Sequence, residues 1–228
     1  MATLAVVVLL SACTSGSIPE SAAARVPPPP RAGQTAGDTL WLLGPDRTAD
    51  AVRADDTEQS LIARYGIANV RRELVDEGEG MLNPGTALFP DDSSRRLTIL
   101  WRDTVSYRYP VRVAIDGSPS RWLVAPGVRI GTTLEELERL NGGPFALLGF
   151  GGHLPGYVQD WQGGALAHFA VRDDPYGRHR VVITMQPMDS LPADADPDWY
   201  TNEARYLSSD PGLRKLRPRV TSIAVGPR

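Results

Sequence analysis

Residues able to carry chemistry are few in this chain, and their spacing argues against the common catalytic centres. There is one cysteine, Cys13, and three histidines, His153, His168 and His179. A lone cysteine makes no internal disulfide. None of the histidines has a second His or Cys at metal-ligand spacing, so none is read as a ligand, and His168 falls on the solvent side of an alternating segment. No G-x-S-x-G elbow offers a serine nucleophile. The stretch DADPD sets Asp194, Asp196 and Asp198 at the 1, 3, 5 spacing of a calcium loop. Trp199 stands where that loop needs Gly, however, Pro197 interrupts it, and Arg205 occupies the position of the closing Glu, so it reads as a solvated acidic loop. Asp76, Glu77 and Glu79 read as a charged turn in which one carboxylate can serve as a contact.

The stretch with most functional colour is GFGGHLPGYVQDW, residues 149 to 161. Its glycines permit close backbone approach, and Phe150, His153, Tyr157 and Trp161 supply contact surface. It lacks the Lys of a phosphate loop and does not match a dinucleotide fingerprint, so no cofactor is expected. These four residues are the candidate binding residues. Phe150 and His153 are the pair to test, because Tyr157 and Trp161 also suit the core of a hairpin.

Cys13 directly follows the apolar run Leu4 to Leu10, which is long enough for the core of an export signal and too short for a membrane span. Leu10-Ser11-Ala12-Cys13 resembles the bacterial lipobox. In that family the cysteine thiol is joined to diacylglycerol and the signal is cut just before it. The small residues let the peptidase reach the backbone, and the thiol is the nucleophile that takes the lipid. A residue other than aspartate after the cysteine implies the outer membrane, and here it is Thr14. The resemblance thus implies a signal peptide over 1–12 and a protein held by lipid on the periplasmic face of the outer membrane. Residues 13–38 hold the lipidated cysteine and a tether rich in Ser, Ala, Pro and Gly, with little to bury. Such a chain has a typical span of about 25–30 Å.

The remainder has the composition of a globular protein, 42% hydrophobic and 22% charged, and its net charge of −3 lacks the basic excess that nucleic acid requires. It also shows an internal echo. VRADDTEQSLIARYGIANV begins at Val52 and VRIGTTLEELERLNGGPFA at Val128. Thr57 and Thr133 are each followed four residues later by a Leu, Leu61 and Leu137, and nine later by a Gly, Gly66 and Gly142. The offsets predict one short helix each, with capping-box spacing at Asp56/Gln59 and Thr132/Glu135 and a left-handed glycine closing each. Alternation predicts strands at Asn69–Val75, Thr86–Phe89 and 95–103 after the first helix, and at Phe145–Gly149, Gly156–Trp161 and 165–173 after the second. A hairpin, Val111–Ile115 with Arg121–Val124, is expected to join the halves across Asp116-Gly117. A strand at Arg180–Met185, a helical piece near Trp199–Leu207 and a final strand at Val220–Val225 complete the chain.

The expected fold is α+β: two tandem helix-strand-strand-strand repeats, 39–125 and 126–228, forming an antiparallel sheet with helices on one face. A helix plus meander in tandem behind a lipobox resembles the beta-lactamase inhibitor protein family and the small lipoprotein of the outer-membrane assembly machine. GTTLEELERLNGGPFALLGFG (131–151) resembles a segment of uncharacterised envelope lipoproteins. Their pattern continues with an aromatic residue and an acid where this chain has Gly152 and His153. The likeness covers residues 50 to 225 and implies no activity. The expected function is therefore a non-catalytic binding module that meets an envelope protein or peptide, with an envelope hydrolase as the alternative.

Overall fold

The computed structural model describes residues 42–43, 51–76, 80–124, 126–152, 154–170, 180–188, 190–191, 193–194, 199 and 204–226. The segments read as signal (1–12) and tether (13–38), Cys13 among them, together with Glu77, Glu79, His153, His179, Asp196 and Asp198, lie outside them. The described residues all fall within one compact unit, Thr35–Arg228. The chain is α+β with mainly antiparallel sheet. In order, the elements are β1 (Leu42–Leu43), α1 (Glu58–Tyr65), β2 (Val70–Asp76), β3 (Leu82–Leu88), β4 (Leu97–Asp103), β5 (Arg108–Asp116), β6 (Leu123–Val124) and β7 (Val128–Arg129). They continue with α2 (Leu134–Asn141), β8 (Ala146–Leu148), β9 (Val158–Asp160), β10 (Val181–Gln186), β11 (Arg205–Leu207), α3 (Pro211–Lys215) and β12 (Arg219–Val225).

Six strands make the main sheet in the order β10-β12-β5-β4-β3-β2, each neighbour antiparallel. A smaller sheet runs β11-β8-β9, and a bridge between Tyr157 and Thr184 ties its β9 end to β10. Leu97, Ile99 and Trp101 alternate on β4, Val113 and Ile115 on β5, and Ile183 and Met185 on β10; all join one core with Leu61 of α1 and Leu134 and Leu137 of α2. Thr98, Arg112, Asp116 and Ser222 alternate to the other face and stay half-buried or exposed. An antiparallel sheet with one covered face requires this division.

Both helices begin as capping boxes, one residue later than the spacing suggested. Thr57 Oγ1 accepts from the Ser60 N–H (3.1 Å) while Ser60 Oγ accepts from the Thr57 N–H (3.0 Å). Thr133 and Glu136 exchange the same pair at 3.1 and 2.9 Å. The preceding Asp56 and Thr132 instead accept from the N–H groups of Arg53 (2.7 Å) and Arg129 (3.0 Å), bracing the turn that leads in. Gly142 closes α2 in the left-handed region, whereas Gly66 combines φ 84° with an extended ψ of 149°. Each helix start is also fastened to the start of a strand. Glu58 N–H donates to Tyr107 O (2.9 Å) and Tyr109 N–H to Asp56 O (3.3 Å); Leu134 N–H donates to Pro218 O (3.1 Å) and Val220 N–H to Thr132 O (2.9 Å).

Three expectations are corrected. The segment 165–173 does not begin as a strand: Ala167–Phe169 form a turn of 3₁₀ helix, and residues 171–173 lie outside the described ones. Buried Asn141 causes the bend, because its main-chain and side-chain oxygens take the N–H groups of Ala165 (2.7 Å) and Leu166 (3.1 Å). Residues 111–124 make no hairpin. β5 takes β4 and β12 as neighbours, while β6 pairs with β1 and β7. Burial of Trp122, whose Nε1 donates to Arg95 O at 2.8 Å, draws the chain away toward the start of β4. Finally, 205–207 is strand β11 on the edge of β8 rather than helix. The helix lies beyond it, where Asp210 caps the N–H groups of Gly212 and Leu213 with Pro211 in the first turn.

Candidate functional site

The loop between β8 and β9 is built by its own backbone. Gly156 N–H donates to Gly149 O (2.8 Å), Met185 N–H to Gly156 O (2.9 Å), Phe150 N–H to Trp199 O (2.7 Å) and Gly149 N–H to Ala204 O (3.2 Å). Gly156 has a φ of 66°, and a Cβ there would stand 1.8 Å from Met185 O. The close approach that this glycine permits is therefore to β10, not to a partner, which corrects the sequence reading.

Of the four residues singled out, Trp161 is core. It is 2% exposed, between the rings of Phe145 and Phe169 at 5.5 Å each, and offers no contact surface. Tyr157 is half-buried at the bridge to Thr184, and burial pushes its phenol above the ordinary value. Phe150 is half-buried against the core, and His153 lies outside the described residues. The loop's exposed apolar residue is Leu154, with Met188 also exposed beyond β10. Trp199, which sequence reading met only as the wrong residue in a calcium loop, closes over Gly212 and meets Tyr206 edge-on at 6.2 Å. Asp194 is exposed, and Arg205 is paired with Asp160 at 2.7 Å. His168 sits in the 3₁₀ turn, exposed, with Nδ1 2.8 Å from Ala165 O.

A cleft of about 60 Å³ opens on the outer sheet face, lined by Val75, Asp76, Thr98, Leu100, Arg112, Ala114 and Asp116. That volume holds about two waters at roughly 30 Å³ each, far from the roughly 300 Å³ or more of a ligand pocket. Next to the lining residues Val75 and Leu100, β3 carries Gly85. A Cβ there would lie 2.5 Å from Val75 Cγ2 and 2.7 Å from Ile99 O. Gly85→Ala is expected to cost about 1–3 kcal/mol by overpacking, and a thermal melt of the variant checks it.

The larger feature is at one end of the main sheet. β3 and β4 are antiparallel with Gly85 opposite Leu100 and Leu88 opposite Leu97, so the start of β3 and the end of β4 lie together. β4 and β5 meet there too, with Asp103 opposite Arg108. The ends of β2 and β4 and the starts of β3 and β5 thus lie together, and Leu74, Met81, Leu82, Val105 and Tyr109 stand there 47–88% exposed. Tyr107 and Tyr109 hold φ values of 51° and 59°, a conformation that bulky residues rarely adopt and that surrounding structure must impose. Here the start of α1 imposes it, through the hydrogen bonds of Tyr107 O and Tyr109 N–H. Asp103 accepts from the Ser106 and Val105 N–H groups, which hold its carboxyl below the usual range. Beside this end lies a satisfied buried network: Trp101 Nε1 donates to Thr86 Oγ1 (2.9 Å), and Glu58 takes Thr86 and both faces of the Arg72 fork.

Among the described residues there is no cluster of three metal-ligating side chains, and no helix is long and apolar enough to cross a membrane. No family model, curated protein or solved structure matches the chain.

Proposed function

We propose that this is a lipid-anchored protein of the bacterial outer membrane whose folded part binds another envelope component and performs no catalysis. The observation that carries the binding role is the concentration of exposed apolar side chains at one end of the main sheet, on two adjacent hairpins. Scattered apolar residues need no explanation, whereas a contiguous group marks a contact surface. The chain joins the fold at the other end of the sheet. β1 pairs with β6, and Arg121 N–H and Trp122 Nε1 reach Ser94 O and Arg95 O beside the start of β4. The length of β5, nine residues, separates the two ends by about 30 Å. A tether attached at one end leaves the other open to a partner.

The lipid anchor in this proposal rests on the lipobox. Cys13→Ala is expected to leave the protein unprocessed or soluble, since the two or three chains of a mature lipoprotein supply about 0.8 kcal/mol per buried CH₂. Continued co-fractionation of that variant with outer membranes in high salt would place the anchor elsewhere. For the binding role, capture from envelope extracts by the lipidated protein should fall when Leu82→Asp and Val105→Asp are combined, with the melting temperature unchanged. The Phe150→Ala, His153→Ala pair tests the β8–β9 loop in the same assay.

We also read the fold as two copies of one unit, α1 with β2–β5 and α2 with β8–β10 and β12. The support is a constant offset. Adding 76 to the helix partner and 111 to the strand partner turns Glu58–Tyr107 into Leu134–Pro218, and Asp56–Tyr109 into Thr132–Val220. The same 111 exchanges the central pairs Val113–Val225 and Ala114–Ala224. Each unit then holds four strands, one more than the sequence reading assigned, with β5 and β12 meeting at the centre.

A further inference from the structure

We propose that the outer edge of β2 takes an extended segment of another protein, laid antiparallel with its apolar residues toward α1; this rests on reading the fold as two copies of one unit. In that reading β2 corresponds to β8, the strand that follows the second helix. β8 does not end its sheet. β11 lies antiparallel on its outer side, with Tyr206 opposite Leu147 and packed on the core. Ser208 then locks the pairing. Its N–H donates to Phe145 O (2.8 Å), and its Oγ accepts from Phe145 N–H (3.0 Å) and donates to Glu138 Oε1 (2.6 Å). The chain reaches that edge because residues 187–218, between β10 and β12, carry β11 and α3. The corresponding connection in the first unit, between β4 and β5, is the turn 104–107 and supplies no strand. Among the described residues β2 pairs with β3 alone. What the second unit receives in cis is left, in the first, to come in trans.

Register fixes which groups line this edge. Phe89 N–H donates to Asn69 O (2.8 Å), and β2 pairs with β3 without a shift from Val70–Leu88 onward. Odd-numbered residues of β2 thus turn their main-chain groups to β3, and Arg72 and Leu74 turn theirs to the outer edge. Val70 N–H is already taken by Ile67 O. The same even-numbered residues face α1: Val70 is in the core, and Arg72 is forked onto Glu58. An edge with unpaired N–H and C=O groups is a template for a further strand unless charge or proline blunts it. The charges of β2 are paired within the molecule, Arg71 with Asp91, Arg72 with Glu58 and Glu73 with Arg96. Leu74 is 62% exposed, and Ile67, just before β2, is 71% exposed. Residues opposite Arg72 and Leu74 on an added strand share their face of the sheet. Alternate apolar residues there cover Leu74, as Tyr206 packs beside β8. β2 itself lacks that alternation, because Arg72 sits between Val70 and Leu74, so a second copy does not fit.

The test uses the full lipidated protein in zwitterionic nanodiscs, with empty nanodiscs as the blank. Two labelled peptides of one alternating Thr/Val sequence serve as probes, one N-methylated at every Val and the other at every Thr. In the proposed register the valines face α1, so their N–H groups point to β2. Methylating Thr leaves that edge intact and methylating Val removes it, with the apolar content unchanged. The Thr-methylated peptide should bind about tenfold or more tighter, the worth of about two hydrogen bonds. Leu74→Pro removes one outward N–H, which an edge strand tolerates. It should leave the melting temperature nearly unchanged and weaken that peptide by about tenfold, more than Leu74→Ala does. Equal affinity for the two peptides, or binding indifferent to Leu74→Pro, would overturn the proposal. So would a dimer of the free protein that Leu74→Pro dissociates, since the occupant would then be a second copy. If Leu74→Pro unfolds the protein, the peptide pair decides alone. Similar losses at Leu61→Ala and Leu137→Ala with no preference between the peptides would leave the two-unit reading standing and remove the edge site.

Discussion

Gly156→Ala, at a buried position, is expected to lower stability by about 3 kcal/mol or more. Two costs add. The residue sits at φ 66°, where an L side chain is strained, and the new Cβ would fall 1.8 Å from Met185 O and 2.8 Å from Met185 C. Those are backbone atoms of β10 and have no rotamer to escape into. The loop must lift from β10, which breaks the Met185 N–H bond to Gly156 O and exposes the bridge from Tyr157 to Thr184. For a fold of this size the melting temperature should drop by about 6–12 °C. Gly163→Ala is the control, since it shares a positive φ of 72° but has open space around it. Equal losses for the two glycines would show that backbone conformation, not the approach to β10, sets the cost.

Leu61→Ala and Leu137→Ala should each cost about 2–5 kcal/mol, a sizeable share of the roughly 5–15 kcal/mol that holds a domain together. Both side chains are fully buried in the single core, each on the inward face of its helix, four residues after the capping threonine. Proposed equivalence of the two units adds a sharper expectation: losses of similar size, measured by urea unfolding with unchanged slope. A large loss at one leucine and almost none at the other would leave the matching hydrogen bonds as coincidence.

Local pattern made much of this legible. Thr57 and Thr133, with a leucine four later and a glycine nine later, located both helices to within a residue, because a capping box and a closing glycine are short-range chemistry. β2, β3, β4, β10 and β12 announced themselves by alternation or turns. What failed was decided over long separations. Alternation across 165–173 gave way because Asn141, more than twenty residues earlier, commands those N–H groups. The apparent hairpin after β5 failed because Trp122 finds burial beside Arg95 and because β12, from the end of the chain, fills the edge of β5. α3 was legible in Asp210-Pro211 but passed over.

The contact surface was the hardest to read. A run of glycines and aromatics looked like a binding loop, yet Trp161 and Gly156 serve the core and the approach to β10. Asp76, flagged as a possible contact, does border the apolar end of the sheet. Val105, Leu82 and Tyr109 gave no sign individually, because an exposed apolar residue is ordinary until a register places several at one sheet end.

The binding claim is tested most directly by placing a photo-crosslinking amino acid at Val105 in the protein as it sits in living cells. Asp116, on the outer face at the opposite end of β5, is the matched control. The account predicts a discrete crosslinked protein adduct from position 105, absent from 116 and lost when Leu82→Asp is added. Adducts at both positions alike, or at neither while the protein is correctly anchored, would contradict it.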